Sequence, residues 1–282
     1  MNNAPAAMNN APAAMNRWEA TSHEFTTLNV RQFDTGVLLV TLDRERSANT
    51  ISAQMSREIL RLAEAVTEDS TVRVVVLTGS GRFFCAGADL RDPTLGTPEW
   101  VSLGRQAVDS LEALSVPVIA AVNGPAFGGG TEIALACDFR IASEKALFSV
   151  PEIKIGMLPG AGGLTRLQYL VGPAKARRMA YSGCVVDAAE ARVMGLADEV
   201  VAADELVDYA LTRASELAEF APYALAAAKK IFLDSIGMPI DEALAADYYT
   251  LDHMATPEQV QEYREKAAQR DPAYAKIFNK NG

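Results

Sequence analysis

Short β-branched apolar runs, separated by stretches with helical periodicity, constrain this chain more than any other feature. Gly36–Arg44 (GVLLVTLDR), Val72–Ser80 (VRVVVLTGS) and Val116–Gly124 (VPVIAAVNG) are each bounded by turn or charged residues and read as buried strands. Between the first two, Ser52–Ser70 carries Met55, Ile59, Leu60, Leu62 and Ala63 at helical spacing behind a Ser52 N-cap. Glu99–Leu114 reads as a second amphipathic helix. Thr131–Ser143 starts as a helix and drifts into strand composition, Lys145–Ile153 is extended, and Pro159–Gly172 enters a helix through glycines. Strands alternating with helices predict an α/β core with crossover connections. From about Glu205 the chain is rich in Ala, Leu, Glu and Lys with few strand signals, so residues 205–282 read as helices that bury their apolar faces on the core or on another subunit. Residues 1–16 hold MNNAPAA twice in tandem and read as a disordered tail, which leaves 17–204 as the core.

Charge and rare residues narrow the function. A formal net charge of -10 opposes binding to nucleic acid or to an anionic membrane surface. No apolar run is long enough to span a bilayer. The three cysteines, Cys85, Cys137 and Cys184, lack zinc-ligand or disulfide spacing and suit a reducing, cytoplasmic setting. With only two histidines, His23 and His253, a histidine-rich metal site is excluded, and neither lies near a nucleophile motif.

The stretch NGPAFGGGTEIALACDF, Asn123 to Phe139, places three glycines at a strand-to-helix turn and Glu132 in the first turn of the helix. A helix start offers unpaired N–H groups and partial positive charge, and glycines let a ligand atom approach them closely. That arrangement suits a phosphate or a developing oxyanion, although the spacing matches neither a P-loop nor a dinucleotide fingerprint. Glu152, in SVPEIKIG, is a second carboxylate set in an apolar segment. Carboxylates in apolar surroundings need a partner or a proton, so the pair has the character of an acid and a base. The turn FFCAGADL, Phe83–Leu90, offers further backbone donors.

FFCAGADL, AAVNGPAFGGGTEIALACDFRIAS and FSVPEIKIGMLPGAGGLTRL, in that order, resemble the signature blocks of the enoyl-CoA hydratase/isomerase, or crotonase, superfamily. The likeness runs from about Val37 to Val201. It implies a crotonase-like spiral of repeated ββα units with a C-terminal helical oligomerisation region. It also implies a homotrimer or dimer of trimers, and an acyl-CoA thioester of fatty acid metabolism as substrate. The backbone N–H groups of Ala88 and Gly129 would form the oxyanion hole, and Glu132 and Glu152 would be catalytic. Arg82, Ala86, Asp89, Leu90 and Arg46 would meet coenzyme A, which enters as part of the substrate. No metal or separate cofactor is implied. The resemblance points first to an enoyl-CoA hydratase. The same frame serves an isomerase, a decarboxylase, or a dehydratase of carrier-bound acyl chains. Some relatives of this fold bind RNA, which the negative charge opposes. The chain departs from the family pattern at Glu45 and Thr50 in RERSANTIS and at Leu164-Thr165 in the third block.

Overall fold

The computed structural model describes Trp18 and residues 25–271. Its strands are β1 (Leu28–Gln32), β2 (Val37–Leu42), β3 (Val74–Gly79), β4 (Val118–Val122), β5 (Pro125–Phe127), β6 (Phe139–Ser143), β7 (Leu147–Ser149), β8 (Val186–Asp187) and β9 (Glu199–Val201). Six of them form one sheet in the order β1-β2-β3-β4-β6-β9, and the others a small sheet ordered β5-β7-β8. In the large sheet only the β1–β2 pairing is antiparallel. The α/β class read from the alternation of patterns is the class observed.

The connecting helices are α1 (Ala53–Glu68), α2 (Pro98–Glu112), α3 (Gly129–Ala136), α4 (Gly163–Val171), α5 (Pro173–Ser182) and α6 (Ala188–Met194). Four more close the described chain: α7 (Leu206–Ala218), α8 (Pro222–Asp234), α9 (Ile240–His253) and α10 (Pro257–Arg270). Ser52 caps α1 as its position suggests, its Oγ accepting from the Met55 N–H at 3.2 Å.

The central strands are apolar without alternation because both faces of the sheet are covered. On β3, Val75 and Leu77 join the main core, while Val74 and Val76 pack on the opposite side against Leu206, Ala210, Ala214 and Ala218 of α7. The alanines recur every four residues along α7, which lets that helix lie close on the sheet. Among the described residues, no helix is long and apolar enough to cross a membrane.

Thr131–Ser143 resolves into α3 and β6, separated by Cys137 and Asp138. Lys145–Ile153 is extended only through Ser149; Pro151 then opens a 3-10 turn over Pro151–Ile155. Strands β1, β5, β8 and β9 and helices α5 and α6 are additional to the sequence reading. β5, β8 and β9 have three residues or fewer, too short for a period to show. Helix α5 buries only Ala176 and Met179 and is otherwise rich in Lys and Arg, so its apolar stripe is thin. The duplicated N-terminal segment and His23 lie outside the described residues.

Candidate active site

The site forms where the segment after β3 meets the β5–α3 turn. Cys85 makes a parallel bridge with Ala126, and Phe127 N–H donates to the Cys85 carbonyl at 2.9 Å. On its other side the same segment bridges Ile51: Ile51 N–H donates to Gly87 O at 2.8 Å, and Asp89 N–H donates to Ile51 O at 2.9 Å. These bonds use the groups flanking Ala88. The Gly87 carbonyl and the Ala88 N–H belong to one trans peptide plane and point opposite ways, so the Ala88 N–H is directed away from Ile51.

The glycine triplet makes the approach possible. Gly128 sits at φ 53°, where a Cβ would lie 2.7 Å from Glu152 Oε1. A Cβ on Gly130 would lie 2.1 Å from the Cys85 carbonyl oxygen. A Cβ built on Gly129 would be 3.9 Å from both the Gly87 Cα and Glu132 Oε2. The start of α3, the Ala88 turn and a carboxylate therefore share one small region. Gly129 begins α3, so its N–H has no intrahelical acceptor. Thr131 pins the helix, its hydroxyl lying 2.7 and 2.8 Å from the Ala126 and Ser149 carbonyls, either of which can accept its single proton.

The two carboxylates differ in their surroundings. Glu132 is buried, and its Oε1 accepts from the Ala161 and Gly163 N–H groups at 2.6 and 2.8 Å. Burial pushes its carboxyl above the ordinary range; those two N–H groups and the Arg166 charge pull the other way. Glu152, half-buried at the head of its 3-10 turn, has an Oε2 with no hydrogen-bond partner. Burial first, and the charge of Glu132 second, raise its carboxyl to about 6. A pair of carboxyls with environments this unequal can divide proton donation and acceptance.

The residues expected at coenzyme A sort into two groups. Arg46, Arg82 and Leu90 are exposed, and Ala86 is half-buried with its N–H donating to Ala48 O at 3.0 Å. Asp89 instead faces inward. It pairs with Arg44 at 2.8 Å and Arg91 at 3.3 Å. Burial alone would raise its carboxyl, but the bonds from Arg44 and Arg91 outweigh that and hold it at about 2. Its carboxylate is thus committed to bracing the Ala88 turn. Asn49, fully buried, links the same loops by accepting from Arg44 N–H and donating to the Ser80 and Phe83 carbonyls. Sequence reasoning did not single out Ile51, Asn49, Ala161, Gly163 or Arg166 as parts of the site. PGAGGLTRL was visible as a glycine-led helix start, but its partner, Glu132, is about thirty residues away and found only through space.

Residues 32–276 of the chain match a family model described as enoyl-CoA hydratase/isomerase. The chain belongs to the enoyl-CoA hydratase/isomerase family. Among solved structures, an enoyl-CoA hydratase from Bacillus anthracis is 36% identical with a TM-score of 0.81, covering 86% of this chain and 97% of that one. The fold is therefore the crotonase fold, with a helical C-terminal region. The chain is also 38% identical over 218 residues to the 2,3-dehydroadipyl-CoA hydratase of Escherichia coli K12, covering 75% of this chain and 84% of the relative. It is 40% identical over 211 residues to carnitinyl-CoA dehydratase of the same strain, covering 73% and 80%. The family match extends through all of α7–α10, beyond the blocks that carry the resemblance in the sequence. Among the described residues, no group of three or more His, Cys, Asp or Glu side chains is arranged to hold a metal ion.

Proposed function

We propose that the protein is a 2-enoyl-CoA hydratase, adding water across the 2,3 double bond of an acyl-CoA thioester. The observation that carries this reading is the presence of both carboxyls at one helix start, Glu132 against Gly129 and Glu152 against Gly128. An enolate chemistry that moves a single proton needs one such group; holding a water while a second proton is delivered calls for two.

The thioester oxygen accepts hydrogen bonds from the Ala88 and Gly129 N–H groups, which stabilise the enolate-like charge as it develops. Loss of one such donor typically costs about 3–4 kcal/mol in the transition state. Glu132, held by two N–H bonds that favour its ionised form, takes a proton from the water as its oxygen adds to C3. Glu152, whose Oε2 has no competing partner, supplies the proton to C2. Carnitinyl-CoA dehydratase and dehydroadipyl-CoA hydratase, the relatives named above, are named for the loss or gain of water on a CoA thioester, which favours hydration chemistry over isomerisation.

Exposed apolar side chains on the C-terminal helices, including Phe232 at 73% and Ile240 at 74%, support self-association of that region, consistent with a trimer or a dimer of trimers.

The test follows loss of the enoyl-thioester absorbance band with crotonyl-CoA. The wild type should consume the band, and Glu132→Gln and Glu152→Gln should each slow it by about 10²–10⁴-fold without loss of fold. Wild-type rates in either variant would refute the two-carboxyl mechanism. Thioester binding without hydration in the wild type would move the assignment to a one-carboxyl isomerase or decarboxylase.

A further inference from the structure

Arg166 has a place in the molecule that the chemistry above does not use. It lies in the second turn of α4, and its side chain is 14% exposed. Every nitrogen of its guanidinium is bonded. Nε donates to Glu112 Oε1 at 2.8 Å, and Nη2 donates to Glu112 Oε2 and Asp109 Oδ1, both at 2.7 Å. The Glu112 contact is the two-pronged fork that gives arginine its geometric specificity. Nη1 is left for the Ala161 carbonyl, at 2.6 Å.

Ala161 is the residue whose N–H holds Glu132 Oε1. Its two backbone polar groups thus serve two masters: the N–H faces the buried carboxylate, the carbonyl faces the guanidinium. The segment is tightly folded there. Gly162 adopts φ 84°, and Arg166 N–H donates to Gly162 O at 3.0 Å. Arg105, one helical turn before Asp109 on α2, donates from Nε to Gly160 O at 2.7 Å. Helix α2 therefore grips the 160–163 loop at two points, directly through Arg105 and indirectly through Arg166. No other side chain in the described residues bonds the Ala161 carbonyl.

We propose that Arg166, locked by Glu112 and Asp109, is a positioning residue that fixes the Ala161–Gly163 loop and through it the orientation of Glu132. Its role is to hold the two N–H groups that fix one oxygen of Glu132, so that the other stays beside Gly129. This inference rests on the hydratase reading for its kinetic consequence, whereas the structural linkage stands apart from that reading.

Two variants and two readouts test it. In Arg166→Gln the fork and the carbonyl bond are lost. kcat for crotonyl-CoA should fall about 100-fold while KM stays within about threefold, the signature of misplacement by a fraction of an ångström to an ångström. Arg166→Lys keeps the charge but has no planar fork, so it should recover less than about a tenth of the lost rate. Independently of activity, amide hydrogen exchange at Ala161 and Gly163 should quicken at least about tenfold in Arg166→Gln. Glu112→Gln leaves Arg166 in place and serves if Arg166→Gln does not fold; it should lower kcat about tenfold with little change in KM. Wild-type kcat in Arg166→Gln or Glu112→Gln, full rescue by lysine, or unchanged exchange at both amides would overturn the proposal. If wild-type protein fails to hydrate crotonyl-CoA, the functional reading falls and the exchange result alone decides the linkage.

Discussion

Replacing Glu152 by glutamine should trade activity for stability, and the trade should depend on pH. The carboxyl is raised from 4.5 to about 6, chiefly by burial. A group that binds its proton more tightly in the folded state adds no penalty when both states are protonated, below about pH 4.5. It destabilises the fold progressively as pH rises through about 6. A shift of about 1.5 units corresponds to about 2 kcal/mol. Because Glu152 is only half-buried, solvent screening reduces this to about 1 kcal/mol. Glutamine cannot ionise, so the variant is spared that loss and also removes a like charge from beside Glu132. The amide does leave a polar atom unpartnered where Glu152 Oε2 lies buried, but that cost is the same at every pH. The measurement is urea unfolding of both proteins at pH 4 and pH 8, at one fixed protein concentration. The stability of Glu152→Gln relative to wild type should rise by about 1 kcal/mol between the two pH values. A difference that is flat with pH, or falls, would show that Glu152 is not held above its ordinary range and would leave its unpartnered Oε2 as the one ground for casting it as the proton donor.

Two further changes probe the frame around the site. Gly130→Ala puts a methyl 2.1 Å from the Cys85 carbonyl oxygen and 2.8 Å from its carbon, backbone that cannot swing aside, and should cost on the order of 3 kcal/mol in chemical denaturation. Gly160→Ala, whose added Cβ meets nothing within 4 Å, should unfold within about 0.5 kcal/mol of wild type; equal losses in the two variants would refute the close-approach argument. Arg44→Met leaves the buried Asp89 carboxylate with Arg91 as its remaining partner and loosens the Ala88 turn. A loss of about 2 kcal/mol in stability and a fall in kcat larger than any rise in KM are expected, and unchanged kcat would separate Arg44 from the oxyanion side of the site.

The central strands and the long helices were legible because each carries its own period. Met55, Ile59 and Leu62 repeat at helical spacing, and the valines of Val74–Val76 are continuous because the sheet is covered on both sides. The three-residue β5 was not legible: it is a strand only because β7 lies beside it. The site divides in the same way. Three adjacent glycines and a following glutamate mark a helix start fitted for an anion, a local property of chain geometry and backbone dipoles. That Glu152 arrives at Gly128, that Ala161 and Gly163 hold Glu132, and that Asp89 turns inward to Arg44 are decisions of packing between distant segments. The sequence by itself determined the central strands and long helices, the negative net charge and the residue types available for proton transfer. Only the tertiary structure decided which carboxyl is anchored and which is left without a partner, because burial and hydrogen bonding depend on neighbours that the linear order keeps apart.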